Sequence, residues 1–174
     1  LDCALRRNGT PLAQFLGGTR EQVPAGVTLG FADETRTVVL ASEASHRGYR
    51  SMKIKIEPGR DVDILEAVRA AIGVEVALSA DANGAYDLDN EADRSALARI
   101  DGLGLSHLEQ PVAAENLPGL AELTRDLATS VLLDESATNL ADTAAALDAG
   151  AGDAVSVKAP RVGGLLEAVR IHDH

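Results

Sequence analysis

Hydrophobic positions along the chain switch repeatedly between period-two runs and stretches spaced three to four residues apart, the signatures of strands and amphipathic helices. Val27-Thr-Leu-Gly-Phe31 reads as a first strand, followed by a weak helix from Asp33 to His46 that Gly48 closes. A second strand, Ser51-Met-Lys-Ile-Lys-Ile56, leads to a helix that Asp61 can cap, with Ile64, Leu65, Val68 and Ile72 on one face and Gly73 at its end. Further strands are expected at Val74 to Asp81, Gly104 to Glu109, Ser130 to Asp134 and Ala154 to Lys158, with helices near 89 to 100, 116 to 128 and 139 to 149. This βα alternation, unbroken by a linker, predicts an α/β fold with a parallel sheet, either a barrel or a doubly wound sheet.

Charged residues at the strand ends separate those two possibilities. Lys55, Asp81, Glu109, Asp134 and Lys158 each close a strand, at gaps of 26, 28, 25 and 24 residues, about one βα unit each time. With period-two alternation, Lys53 shares the inward phase of Lys55, as do Ser79 with Asp81, His107 with Glu109 and Ser156 with Lys158. In a doubly wound sheet such charges would be buried beneath helices, whereas a barrel gathers them around its axis at the C-terminal rim. The expectation is therefore a TIM-type (β/α)8 barrel, here about six βα units.

Composition narrows the chemistry. Of 16 basic residues only three are lysine, Lys53, Lys55 and Lys158, and all three fall in this inward series. A formal charge of −11 argues against a nucleic-acid partner, because phosphate binding rests on Lys and Arg contacts. No apolar run approaches the roughly 20 residues of a membrane span, and a lone Cys3 offers no internal disulfide, so a cytoplasmic setting is expected.

Three carboxylates converging from successive strands repel one another unless a cation lies between them, and all-oxygen donors select a hard divalent ion, Mg²⁺ first and Mn²⁺ as alternative. Lysines precede and follow the acids in the chain, so a barrel places them on opposite sides of that ion. Such a layout suits proton transfer at a carbon acid, with a lysine as the base.

The stretches Met52-Lys-Ile-Lys-Ile-Glu-Pro-Gly59, Asp81-Ala-Asn83, Leu108-Glu-Gln-Pro111, Leu133-Asp-Glu-Ser136 and Val157-Lys-Ala-Pro-Arg-Val-Gly-Gly164 stand in order, one unit apart. In them the chain resembles the enolase superfamily, within its muconate-lactonising subgroup the o-succinylbenzoate synthases and N-acylamino acid racemases. The resemblance implies Asp81, Glu109 and Asp134 as metal ligands and Lys55 and Lys158 as acid/base residues on opposite faces of a small carboxylate substrate. It implies Lys53 beside the substrate carboxylate or enolate. It also implies α-proton abstraction, leading to dehydration in menaquinone biosynthesis or, alternatively, to racemisation or cycloisomerisation, in an enzyme expected to be a homo-oligomer when intact. Residues 1–22 are expected to be the tail of a capping domain and its connection, and 23–174 a partial barrel of strands one to six.

Other residues carry two readings each. Asn83 is a candidate to touch a ligand, although Asn83-Gly84 is also a turn pair. Glu135, pointing away if Asp134 points in, is a candidate to hold a lysine or a ligand from outside the metal's own shell. His107 reads as a satisfied interior side chain, and Gly163-Gly164 as either an anion cradle or a tight turn. Two rival functions remain: a Schiff-base aldolase using Lys158, which leaves the three acids unexplained, and a non-catalytic truncated barrel fragment.

Overall fold

The computed structural model describes residues 1–30 and 32–174; Phe31, the expected end of the first strand, lies outside the described residues. A six-stranded parallel sheet runs in chain order, β1 (Gly26–Leu29), β2 (Ser51–Lys55), β3 (Ala77–Asp81), β4 (Leu108–Glu109), β5 (Val131–Leu133) and β6 (Ala154–Val155). A doubly wound sheet reverses its strand order near the middle. The unreversed order here is that of a barrel wall, and among the described residues β1 and β6 are its two edges.

Helices α1 (Asp2–Asn8) and α2 (Leu12–Phe15) precede the sheet, and each strand is then followed by one helix: α3 (Glu34–His46), α4 (Val62–Ile72), α5 (Glu91–Asp101), α6 (Leu117–Asp126), α7 (Leu140–Asp148) and α8 (Leu165–His172). Short polar side chains start most of them, because the first turn of a helix leaves backbone N–H groups without partners. Asp33 accepts from Arg36 N at 2.8 Å, Asp61 from Val62 N, Asn90 from Ala92 N, Asn116 from Gly119 N and Asn139 from Asp142 N. No helix among the described residues is long and apolar enough to cross a membrane.

The predicted alternation holds on β2. Met52 and Ile54 are fully buried and belong to one core with Ala41 and Ala44 of α3, Leu65 and Val68 of α4, and Leu78 and Ala80 of β3. Lys53 and Lys55 take the other face, opposite Ser79 and Asp81 of β3, and Asp81 in turn is registered with Glu109 of β4.

Three strands are shorter than the sequence suggests by three residues or more, each for want of a neighbour. β3 begins at Ala77, the partner of Ser51 at the start of β2, and Val74 before it is 84% exposed. Gly104 and Leu105 lie outside β4; the chain joins the sheet at Ser106, whose N–H donates to Leu78 O. β6 runs only along β5, and its last rung is Ser156 N to Leu133 O. Lys158 therefore stands beyond the strand, and its carbonyl accepts from Arg161 and Val162 to close a turn. Gly163 and Gly164, at φ 99° and 120°, complete that turn in a backbone region open to glycine, which is the role the pair has here.

Candidate active site

The side chains singled out by spacing meet at the C-terminal ends of the strands. Asp81 and Glu109 are 1% exposed and Asp134 is fully buried, yet each is paired. Lys53 Nζ lies 2.6 Å from Glu109 Oε2 and 3.2 Å from Asp81 Oδ2. Lys55 Nζ reaches Asp81 Oδ2 at 2.7 Å and donates to Asn83 Oδ1 at 2.5 Å. Lys158 donates to Asp134 Oδ2, and Arg161 donates to Asp134 Oδ1 at 2.6 Å and to its carbonyl at 2.7 Å. The buried acids Asp81, Glu109 and Asp134 are thus all paired with the cations Lys53, Lys55, Lys158 and Arg161, which is how so much buried charge is tolerated.

Burial pushes the Glu109 carboxyl above its ordinary value; the hydrogen bond from Lys53 opposes this, while the charges of Asp81 and Asp134 add to it. Asp81 behaves oppositely: burial would raise it, but the hydrogen bond from Lys55 and the charges of Lys53 and Lys55 together hold it below. For Lys53, burial favours the neutral amine, and the hydrogen bond and charge of Glu109, with Asp81, outweigh it and keep the ammonium. His107 lines the concave face of the sheet with Lys53, Ser79 and Glu109, and burial followed by the Lys53 charge pushes its imidazole down. The neutral imidazole is thereby favoured at this half-buried position.

Strand alternation does not govern Glu135: β5 ends at Leu133 and the chain turns there, so strand phase no longer applies. Glu135 Oε1 accepts from Asn83 Nδ2 at 2.9 Å, joining the cluster through Asn83.

Two residues escaped the sequence reading. Arg161 lies three residues past Lys158, on the turn that follows β6, and could have been suspected as the basic residue next along from that lysine. Gln110 is fully buried: its Oε1 accepts from Asp134 N and Ser136 N, and its Nε2 donates to Val112 O and Ser136 Oγ, all at 2.9–3.1 Å. A polar amide between a strand-end acid and Pro111 was the signal for it.

Among the described residues, no three His, Cys, Asp or Glu side chains are gathered closely enough to hold a metal ion, and the Lys53 ammonium stands between Asp81 and Glu109. The donors nevertheless suit a hard cation: all are carboxylate oxygens, and Glu109 Oε1 is buried with no hydrogen-bond partner. An acceptor left dry in this way is costly unless a cation or donor reaches it.

Residues 36–174 match the family described as enolase C-terminal domain-like. The chain is 43% identical over 175 residues to the o-succinylbenzoate synthase of Geobacillus kaustophilus, covering 99% of this chain and 45% of that protein. It is also 43% identical over 165 residues to the N-succinylamino acid racemase of Thermus thermophilus, covering 94% and 44%. Among solved structures, the dipeptide epimerase from Enterococcus faecalis complexed with Mg and the dipeptide L-Leu-L-Tyr superposes with a TM-score of 0.92 at 29% identity, over 99% of this chain and 49% of that one. The chain spans about half the length of the curated relatives it matches.

Proposed function

The chain belongs to the enolase C-terminal domain-like family, and from that premise we propose that the full-length protein removes the α-proton of a carboxylate substrate. The main reading is o-succinylbenzoate synthesis by dehydration, and the alternative is racemisation of N-succinylamino acids. The observation that carries the proposal is the placing of two lysines on one carboxylate cluster from well-separated strands: Lys55 on β2 bonds Asp81, and Lys158 past β6 bonds Asp134.

In this reading Asp81, Glu109 and Asp134 hold Mg²⁺, with Mn²⁺ as the alternative. When bound, the ion supplies positive charge that stabilises the substrate carboxylate as its α-proton leaves and favours the neutral amine of a neighbouring lysine. Lys55 and Lys158 face the α-carbon from two sides, and Lys53, held between Glu109 and Asp81, keeps its charge beside the substrate carboxylate. The amine of one lysine takes the α-proton. In dehydration the carbanion then expels the hydroxyl of the neighbouring carbon, which takes up the proton now held by that lysine and leaves as water. In racemisation the ammonium of the other lysine returns a proton to the opposite face.

The test supplies the full-length gene product and Mg²⁺ with the hydrated precursor of o-succinylbenzoate and, separately, with N-succinylphenylalanine in D2O. The proposal expects water loss from the first and, in the wild type, α-deuterium uptake by the second, with dehydration abolished in at least one of Lys55→Ala and Lys158→Ala. Racemisation without dehydration would move the reading to its alternative. Absence of both dehydration and deuterium uptake would overturn it.

A further inference from the structure

Lys55 and Lys158 are held in different ways. Lys158 meets Asp134, whose other oxygen is taken by Arg161, so its bonded environment is wholly charged. Lys55 has one charged partner, Asp81, and one neutral partner, the carboxamide oxygen of Asn83. That carboxamide is fixed at both ends. A carboxylate cannot donate, so Glu135 Oε1 can only accept from the Asn83 NH2 group, at 2.9 Å, and the amide oxygen is thereby turned toward the ammonium. The Asn83 backbone is anchored as well, at φ 46° with its N–H on Asp81 Oδ1 at 3.1 Å. Left-handed backbone of this kind is tolerated by asparagine better than by most residues.

We propose that Glu135 and Asn83 form a positioning relay for Lys55 alone, and so govern proton transfer on one face of the substrate. The consequence for catalysis rests on the reading given under Proposed function. A neutral acceptor orients the lysine nitrogen whether it carries two hydrogens or three, whereas Asp81 is the partner a bound cation would claim. With Asp81 so engaged, Asn83 is what still holds the four-carbon side chain in place. Among the described residues Lys158 has no such amide, and neither Asn83 nor Glu135 bonds to it or to Asp134.

The experiment uses the full-length gene product with Mg²⁺ and follows α-hydrogen exchange in D2O of N-succinyl-L-phenylalanine and its D enantiomer separately. Lys55→Ala identifies the enantiomer that Lys55 serves. Asn83→Leu and Glu135→Leu should lower kcat for exchange of that enantiomer roughly tenfold or more, with KM and exchange of the other enantiomer changed by less than about threefold. Glu135→Gln, which keeps an acceptor oxygen for Asn83, should restore most of the rate. A readout free of activity accompanies this: 15N NMR of the lysine side chains, in which Lys55 Nζ loses order in both leucine variants while Lys158 Nζ does not. Equal loss for both enantiomers, or no loss, overturns the relay. If the wild type exchanges neither enantiomer, the catalytic reading falls, and the NMR then decides the relay by itself: loosening of Lys55 alone upholds it, and unchanged order at Lys55 overturns it.

Discussion

At the scale of single residues, Gln110 shows how a site can be held by a side chain that bears no charge. Its amide ties the turn carrying Asp134 and Glu135 to the end of β4, from a backbone at φ 39° that few non-glycine residues adopt. Gln110→Leu removes the acceptor for Asp134 N and Ser136 N and the donor to Val112 O in a fully buried place. Stability should fall by about 2–4 kcal/mol, read as a lower urea midpoint at unchanged slope. The acids and lysines were legible because charge at the end of an apolar run is rare and the 24- to 28-residue spacing repeats. Gln110 and Arg161 were not, since their roles depend on which backbone groups a turn leaves unsatisfied. The bond from Asn83 to Glu135 was not legible for the same reason: alternation is a property of strands, and the chain has left β5 by that point.

At the scale of elements, five helices start on a short polar cap, Asp33, Asp61, Asn90, Asn116 and Asn139, of which the sequence reading used Asp61, the helices being otherwise legible from their apolar repeats. Strand lengths were less readable, because a strand ends where its neighbour does, as Lys158 past β6 shows. The junction of α5 and β5 offers a pH test. Asp101, the last residue of α5, accepts from Thr129 N at 2.7 Å and Ala128 N at 3.2 Å. Burial would raise its carboxyl, but these backbone N–H groups outweigh it and hold it below the ordinary value. A lowered folded value means stability that is full above the unfolded value near 4 and is lost as pH falls through the folded one. Asp101→Ala should therefore cost about 1–2 kcal/mol at pH 7, and the gap from wild type should close as pH drops below about 4. A gap unchanged at pH 3 would assign the loss to packing instead.

At the scale of the whole molecule, the unreversed strand order brings chemistry from five separate strand ends into one cluster, which no local stretch of sequence could do. The charge balance of that cluster makes a prediction about metal. A divalent ion that displaces ammonium groups from Asp81, Glu109 and Asp134 must bind the folded state only, so Mg²⁺ at about a hundred times its dissociation constant should stabilise the full-length protein by about 2.7 kcal/mol. Asp134→Ala should abolish that increment, while chemical denaturation without Mg²⁺ reports the variant's own stability separately. Unchanged Mg²⁺ affinity in Asp134→Ala would remove Asp134 from the ligand set.

The claim at the centre of the account is that Lys55 and Lys158 serve opposite faces of one α-carbon, and proton exchange in single variants of the full-length protein measures it most directly. Lys55→Ala and Lys158→Ala should each stop interconversion of N-succinylphenylalanine enantiomers, yet each should still exchange the α-proton of one enantiomer with D2O, a different one in each variant. Arginine at either position should not restore the lost face, because a guanidinium stays protonated. Exchange of both enantiomers at wild-type rates in both variants would contradict the opposed-lysine mechanism.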